Sequence, residues 1–401
     1  MIKVVIENKQ LVSGLKKVGN SLKDSLLIQV QLKKTAEGNN YATLMTSDGK
    51  TQTCVFFTCK TEIKESLSVI VGREFREVVN TLANCGDDFT LEVDEAVVMI
   101  ECGASRVPVG IKGEFTTLQV EDPTKSKSVT LTVDTEEFAA SLFKGGFAYT
   151  EKDGKNGALV NVIALIPVKT TDGYALRILS IDANGVMSAG SICGITIENS
   201  EAIDGVIANK RAFLVNASYL MKSINEMDAK TLSMFITGTQ ATIRNRNDIY
   251  IMTLKDSSSY PVQIADNLFG DINMEYSFEV DKKLLKAAAA VAILNGLDER
   301  EKNLAVLSLE ESHLTVSSIN NKNETKIAVT AAQGTIRLGV NVAYLRSILD
   351  HSADKVTICG INYNTPIFFK SEKESTTFLL PVNINDIEEC TEEGSEETKE
   401  D

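Results

Sequence analysis

The chain holds no tryptophan, only two histidines, His313 and His351, and no cysteine pair in C-x-x-C spacing. Each shortage narrows the chemistry open to it. Histidine is the usual proton carrier at neutral pH. His351 falls at the end of a helical pattern, where an imidazole interacts favourably with the last carbonyls, and His313 lies beside a strand pattern. Nucleophilic catalysis would therefore need an unusual base. The seven cysteines (Cys54, Cys59, Cys85, Cys102, Cys193, Cys359 and Cys390) are scattered and odd in number. That argues against a disulfide framework and against a zinc site, and they read as reduced core thiols of a cytoplasmic protein. No GxxxxGK[ST], GxGxxG, HExxH or GxSxG string occurs, so neither an enzyme nor a bound cofactor is expected. No stretch approaches the roughly 18 apolar residues of a membrane span. The opening MIKVVIENKQ is strand-like, so no leader is expected.

Positive charge is also short, with 41 basic against 55 acidic residues and a net charge of −14. The deficit is uneven. From Asp386 to Asp401, nine carboxylates face Lys399 alone, so this tail carries −8 and the rest of the chain −6. Such a segment is too acidic and too poor in apolar residues to fold, and residues 386–401 are expected to be disordered. A body so close to balance can still present one basic face.

What is present is repetition. IENKQLVSGLKKVG from Ile6, VDTEEFAASLFKGG from Val133 and VDKKLLKAAAAVAI from Val280 share one pattern: an apolar residue, a polar pair, then apolar residues three and four apart. A second segment recurs as VGREFREVVNTLANCGDDFTLEV from Val71, VNASYLMKSINEMDAKTLSMFI from Val215 and VNVAYLRSILDHSADKVTICGI from Val340. The spacing predicts helices near 7–20, 73–84, 134–144, 216–226, 281–295 and 341–350, two per repeat. Short β-branched strands fill the remainder, with hairpin turns at Asp48-Gly49, Asp153-Gly154 and Asp172-Gly173. A strand–turn–strand corner returns at Thr46-Ser47-Asp48, Ser180-Ile181-Asp182 and Ser318-Ile319-Asn320. Repeats this long are whole domains rather than solenoid units. Polar, Pro-bearing stretches ending at Ser128 and Tyr276 separate them. The expected organisation is three α+β domains, 1–123, 128–270 and 275–385, followed by the tail.

Every predicted helix carries cations. Lys9, Lys16 and Lys17 share one face of the first at spacings of seven and eight, and Lys23 follows. Arg73 and Arg76 lie on the second, Lys144 ends the third, and Lys222 is on the fourth. Lys282, Lys283 and Lys286 belong to the fifth and Arg346 to the sixth. For any one helix a solvated face explains this, but six of six in an acidic chain favour a basic stripe suited to phosphates without base readout.

With its triple repeat, its VNVAYLRSIL string, its AVAILN helix end and its C-terminal FLLPVNI, the chain resembles the bacterial DNA polymerase III β subunit, the β sliding clamp family, over residues 1–385. The acidic extension goes beyond the usual family end. The resemblance implies three tandem clamp domains forming half of a head-to-tail homodimeric ring. Their helices would face a central hole, with antiparallel sheets outside. Such a ring encircles double-stranded DNA and tethers the replicative polymerase and the clamp loader through short peptide motifs. It implies DNA contacts from Lys9, Lys16, Lys17, Lys23, Arg73, Arg76, Lys144, Lys222, Lys282, Lys286 and Arg346. It implies a partner-peptide pocket of Val160, Ile181, Ala183 and Val186, with Pro261, Asn341, Tyr344, Pro366, Phe378, Leu380, Pro381 and Val382. Ala183 stands where the family has glycine, and Ala265 and Asn383 where it has basic residues, so peptide preference is expected to differ. Finally it implies a subunit contact of Leu82, Arg106, Val107 and Val109 against Ile293 and Leu294. Core packing is the competing reading for Val160, Ile181 and Leu82. A three-domain interaction scaffold that keeps the fold without encircling DNA is the alternative function, supported by the acidic balance.

Overall fold

The computed structural model describes residues 2–21, 27–35, 38–121, 128–152, 155–198, 200–294, 296, 302–320, 322–372 and 375–384. The acidic tail, Lys23 and the Asp153-Gly154 turn lie outside these described residues. Eight helices occur among them: α1 Asn8–Ser21, α2 Arg73–Leu82, α3 Thr135–Gly145, α4 Ser200–Ala208, α5 Ala217–Asn225, α6 Gln263–Phe269, α7 Lys282–Ala292 and α8 Val342–Asp350. Six of these coincide with the predicted helices to within about three residues at either end, the margin at which helix boundaries are usually uncertain. The two others correct the sequence reading. SEAIDGVIA forms α4 around buried Ile203. The stretch read as a linker before the third repeat forms α6, which buries Ala265 and Leu268.

The repeated strings build the same local structure three times. Ile2–Glu7, Val129–Asp134 and Tyr276–Asp281 alternate buried residues with more accessible ones at the period of two that a half-buried strand requires. Each runs directly into a helix (α1, α3 or α7), and each pairs antiparallel with the strand that follows the second helix of its repeat. The last strand residue faces the first of its partner in all three copies: Glu7 opposite Asp88, Asp134 opposite Thr231, Asp281 opposite Lys355. The next residue donates its N–H across the same junction each time, from Asn8 to Asp87, Thr135 to Lys230 and Lys282 to Asp354, at 2.8–3.0 Å. Short polar side chains start the helices by accepting the orphan N–H groups of the first turn. Asn216 accepts from Tyr219, Asp281 from Lys283 and Leu284, and Asn341 from Ala343 and Tyr344. The corners recur as well, because Asp48, Asp182 and Asn320 each accept a backbone N–H two residues on.

The chain folds as two compact units, one comprising 1–139, 195–206 and 213–256, the other 140–194, 207–212 and 257–401. In the first unit, Ile28–Lys34 pairs with Asn40–Ser47 and Leu67–Val71. Asn40–Ser47 then pairs with Thr51–Thr58, which Asp248–Thr253 extends. Helices α1, α2 and α5 pack here, α1 beside both others, over a core of Ile6, Leu11, Leu15, Phe75, Phe89 and their neighbours. In the second unit Leu304–Glu310 pairs with His313–Ser317 and Ile336–Asn341. Met187–Ser191 pairs with Ser375–Leu379, and α7 packs beside α8 over Leu285, Leu345, Ile348, Phe278 and Phe369. No helix among the described residues is long and apolar enough to cross a membrane.

Candidate functional site

The twelve residues expected to form a peptide pocket all belong to the second unit, and hydrogen bonds gather most of them at one corner. The corner after strand Gly173–Ile181 is held by Asp182, whose carboxylate accepts from Thr150 Oγ1 at 2.7 Å and from Tyr344 Oη at 3.4 Å. That second bond brings the start of α8 to the corner. Leu380 donates its N–H to Val186 at 2.9 Å, continuing the ladder in which Met187 faces Leu379 and Ser188 faces Phe378. Val382 bonds Gly339, two residues before the α8 cap Asn341. Tyr260, just before Pro261, donates its hydroxyl to the Leu179 carbonyl at 3.2 Å. Asn156 donates to the Ala183 carbonyl and so ties the turn that carries Val160.

Burial sorts the set. Ile181 and Ala183 are buried, so they form the floor of the corner and are core residues in their own right. Val160, Val186, Pro261, Asn341, Tyr344, Pro366, Phe378, Pro381 and Val382 are half-buried, and Leu380 is 39% exposed. The result is a shallow apolar surface with a tyrosine hydroxyl and an asparagine at its edge, chemistry that suits apolar side chains of an extended peptide. Burial pushes the Tyr344 phenol above its ordinary range, with Asp182 adding to the effect, so it stays a hydrogen-bond donor. The corresponding corner of the first unit is closed. Tyr219, in the matching V-N-x-x-Y string, is 3% exposed and bonds Thr53 and the Gln52 carbonyl. The sequence offers no signal for this difference.

The basic residues divide by how far they reach water. Lys9 and Arg346 are exposed and in no ion pair among the described residues. Lys16 meets Glu226 at 3.3 Å, and Arg73 meets Glu77 one turn along α2 at 2.9 Å. Lys17, expected beside them on a phosphate-facing surface, is turned inward. It is 13% exposed and pairs at 2.7 Å with Asp248, which is 1% exposed and also accepts from Asn245. Helix rotation explains the difference, since a spacing of eight from Lys9 carries Lys17 to the flank of α1 that packs on the sheet. Lys282 donates to the Ser352 carbonyl beyond the end of α8 at 2.7 Å, and Lys286 pairs with Asp350, so both clasp α7 to α8. Arg76 lays its guanidinium over Gly19 of α1. Lys144 and Lys222 are half-buried.

The residues expected at a subunit contact also divide. Leu82 and Val109 are buried in the core of the first unit. Val107 is half-buried, and Arg106 is held by Glu92 at 2.7 Å and Glu101 at 2.9 Å. In the second unit Ile293 is half-buried and Leu294 is 57% exposed. Ser105–Gly110 in the first unit and Glu324–Ala328 in the second are edge strands, each paired on one side only among the described residues. A recess of about 570 Å³ in the first unit, lined by Lys9, Lys17, Phe56 and Asp248 among others, was not anticipated from the sequence.

No family description and no curated protein matches the sequence. Solved structures do. The DNA polymerase III β subunit of Thermotoga maritima matches with a TM-score of 0.76 at 15% identity, over 96% of this chain and 100% of that one. The fold is that of the bacterial β sliding clamp. The β subunit of Pseudomonas aeruginosa matches with a TM-score of 0.78 at 16% identity, over 95% of this chain and 100% of that one. A Caulobacter crescentus sliding clamp matches at 0.76 and 14%, over 96% and 100%. One Pseudomonas aeruginosa clamp was solved bound to griselimycin. The clamp fold thus spans nearly the whole of this chain with no domain of the clamps missing, and at such identity it is the architecture that is shared.

Proposed function

We propose that this protein is a DNA sliding clamp, a non-catalytic processivity factor of the cytoplasm. In this reading two copies close head to tail into a ring of three domains each, 1–123, 128–270 and 275–385, around double-stranded DNA. The observation that carries it is the end-to-end correspondence with solved clamps at TM-scores of 0.76–0.78. Exposed Lys9 and Arg346 on helices of an otherwise acidic molecule support it, because a few mobile cations attract phosphates without reading bases and so permit sliding. The half-paired strands Ser105–Gly110 and Glu324–Ala328, with exposed Leu294, supply edges for a heterologous contact between copies. The apolar corner of the second unit supplies a place for the polymerase and loader peptides. The test is topological. The protein loaded on nicked circular DNA should stay bound in high salt and be released when the circle is linearised. Equal retention on circular and linear DNA would favour a scaffold that keeps the clamp fold and does not encircle.

A further inference from the structure

Two buried acceptors in the recess of the first unit lack partners. The recess is lined by α1, by the strands Asn40–Ser47 and Thr51–Thr58, and by the turn 245–247 that leads into Asp248–Thr253. At about 570 Å³ it has the size of a small-molecule site. Asp248 lines it and is 1% exposed. Its Oδ2 accepts from Lys17 Nζ at 2.7 Å and from Asn245 Nδ2 at 2.9 Å, while its Oδ1 has no partner among the described residues. Gln10 lines the recess from α1, and its Oε1 is likewise buried without a partner among them. Buried acceptors are nearly always satisfied, and a bare one carries a penalty that a bound donor removes. The rest of the lining limits what that donor is. Tyr41 and Phe56 are diagonal neighbours on the paired strands, with ring centroids 6.4 Å apart, and give the recess an aromatic wall. Lys9 and Arg246 are exposed and in no ion pair among the described residues.

Acceptors, aromatic rings and unpaired cations together suit a planar group that donates N–H bonds and carries an anion. We propose that the recess binds a guanine nucleotide. The base edge donates to Asp248 Oδ1 and Gln10 Oε1, the ring lies against Tyr41 and Phe56, and the phosphate meets Lys9 and Arg246. Guanine places two N–H donors side by side on its pairing edge, and any base stacks on aromatic side chains. Adenine and cytosine set a ring-nitrogen acceptor beside their amino group, which would face an acceptor oxygen, and uracil has one N–H between two carbonyls. The bond to Asp248 is charge-assisted, and Lys17 holds Oδ2, so Oδ1 is the oxygen left for the base. Neither acceptor is open to water, so entry requires the wall to give, and Gln10, half-buried on α1, is its flexible member. This binding needs neither ring closure nor the apolar corner, which belongs to the other unit.

The experiment is isothermal titration calorimetry of the full chain with GMP, AMP, CMP and UMP. GMP should bind roughly tenfold tighter than each of the others, a difference of about 1.4 kcal/mol. Gln10→Leu, which keeps the side chain's bulk and removes its acceptor, should cut that preference to about threefold or less. Arg246→Ala, at an exposed turn position, should weaken GMP several-fold and leave guanosine unchanged. A single-stranded pentamer with one guanine among thymines, beside its all-thymine control, identifies the source of the base. If GMP binds tighter than the pentamer, the ligand is a free nucleotide. If the pentamer binds tighter and Gln10→Leu removes its advantage over the control, a strand supplies the guanine. The proposal falls if neither GMP nor the pentamer is preferred over its controls, or if Gln10→Leu leaves the preference intact. An unchanged ratio of GMP to guanosine affinity in Arg246→Ala overturns it as well.

Discussion

Two lysines eight residues apart on one helix, Lys9 and Lys17, have opposite fates, and the energetics follow from burial. Lys17 and Asp248 form an ion pair with Asp248 almost wholly out of water, so removing one partner strands a buried charge. Lys17→Ala should cost about 3–5 kcal/mol of stability, measured by chemical denaturation. Lys9→Ala should change stability by no more than about 0.5 kcal/mol. In the clamp reading it should instead lower the salt dependence of DNA binding by roughly one unit of slope. Cysteine chemistry divides in the same way. Burial pushes the thiols of Cys54 and Cys59 up to about 11, so at pH 8 almost none of either is thiolate. Cys85 is exposed. Alkylation of the native protein at pH 8, located by mass spectrometry, should therefore reach Cys85 well before Cys54 or Cys59.

Helices in this fold depend on close approaches as much as on propensity. The end of α3 lies against the strand Met187–Ile197. Ser191 donates its hydroxyl to the Ser141 carbonyl at 2.6 Å and Ser180 donates to the Gly145 carbonyl at 2.8 Å. A Cβ at Gly145 would stand 2.6 Å from the Ser191 backbone nitrogen, which no side-chain rotation relieves. Gly145→Ala should destabilise by about 1–3 kcal/mol despite alanine's better helix propensity. At the other end of a helix, Asp281→Ala removes the acceptor for two N–H groups of α7 and should cost about 1 kcal/mol. Thermal melts of the two variants test both. Period and repetition made the helices legible, and the structure adds that Asn216, Asp281 and Asn341 cap the runs with apolar residues three and four apart. Helix α6 escaped notice because it is short and lies in a polar, Pro-bearing stretch, and α4 because it lies outside the repeated strings that marked the other six.

For the assembled protein the expectations concern faces that stay open in the single chain. Leu294 is exposed at the end of α7, and Ser105–Gly110 and Glu324–Ala328 each leave one hydrogen-bonding edge unused. Light scattering coupled to size exclusion should give a particle of about twice the 43.6 kDa chain. Leu294→Asp should shift it toward the monomer without lowering the unfolding midpoint of the isolated chain, since an exposed position carries little folding energy. A strict monomer at high concentration would remove encirclement as a property of the protein alone. Of the residues assigned to the proposed contact, Leu82 and Val109 are buried in the first unit's core, which leaves Arg106, Val107, Ile293 and Leu294 as its candidates.

The sequence by itself determined the threefold repeat, the six helices of the repeats, the strand alternation and the turn-capped corners. All are local, set by the periods of 3.6 and 2 and by side chains bonding backbone a few residues away. Which lysine faces water, whether Tyr219 or Tyr344 leaves its corner open, and which apolar residues are core were decided by the tertiary structure. Lys17 finds Asp248 231 residues along the chain, and Tyr344 finds Asp182 162 residues back. Partners so distant leave no mark in local pattern, since a buried lysine and an exposed one have the same spacing until the fold supplies the acid.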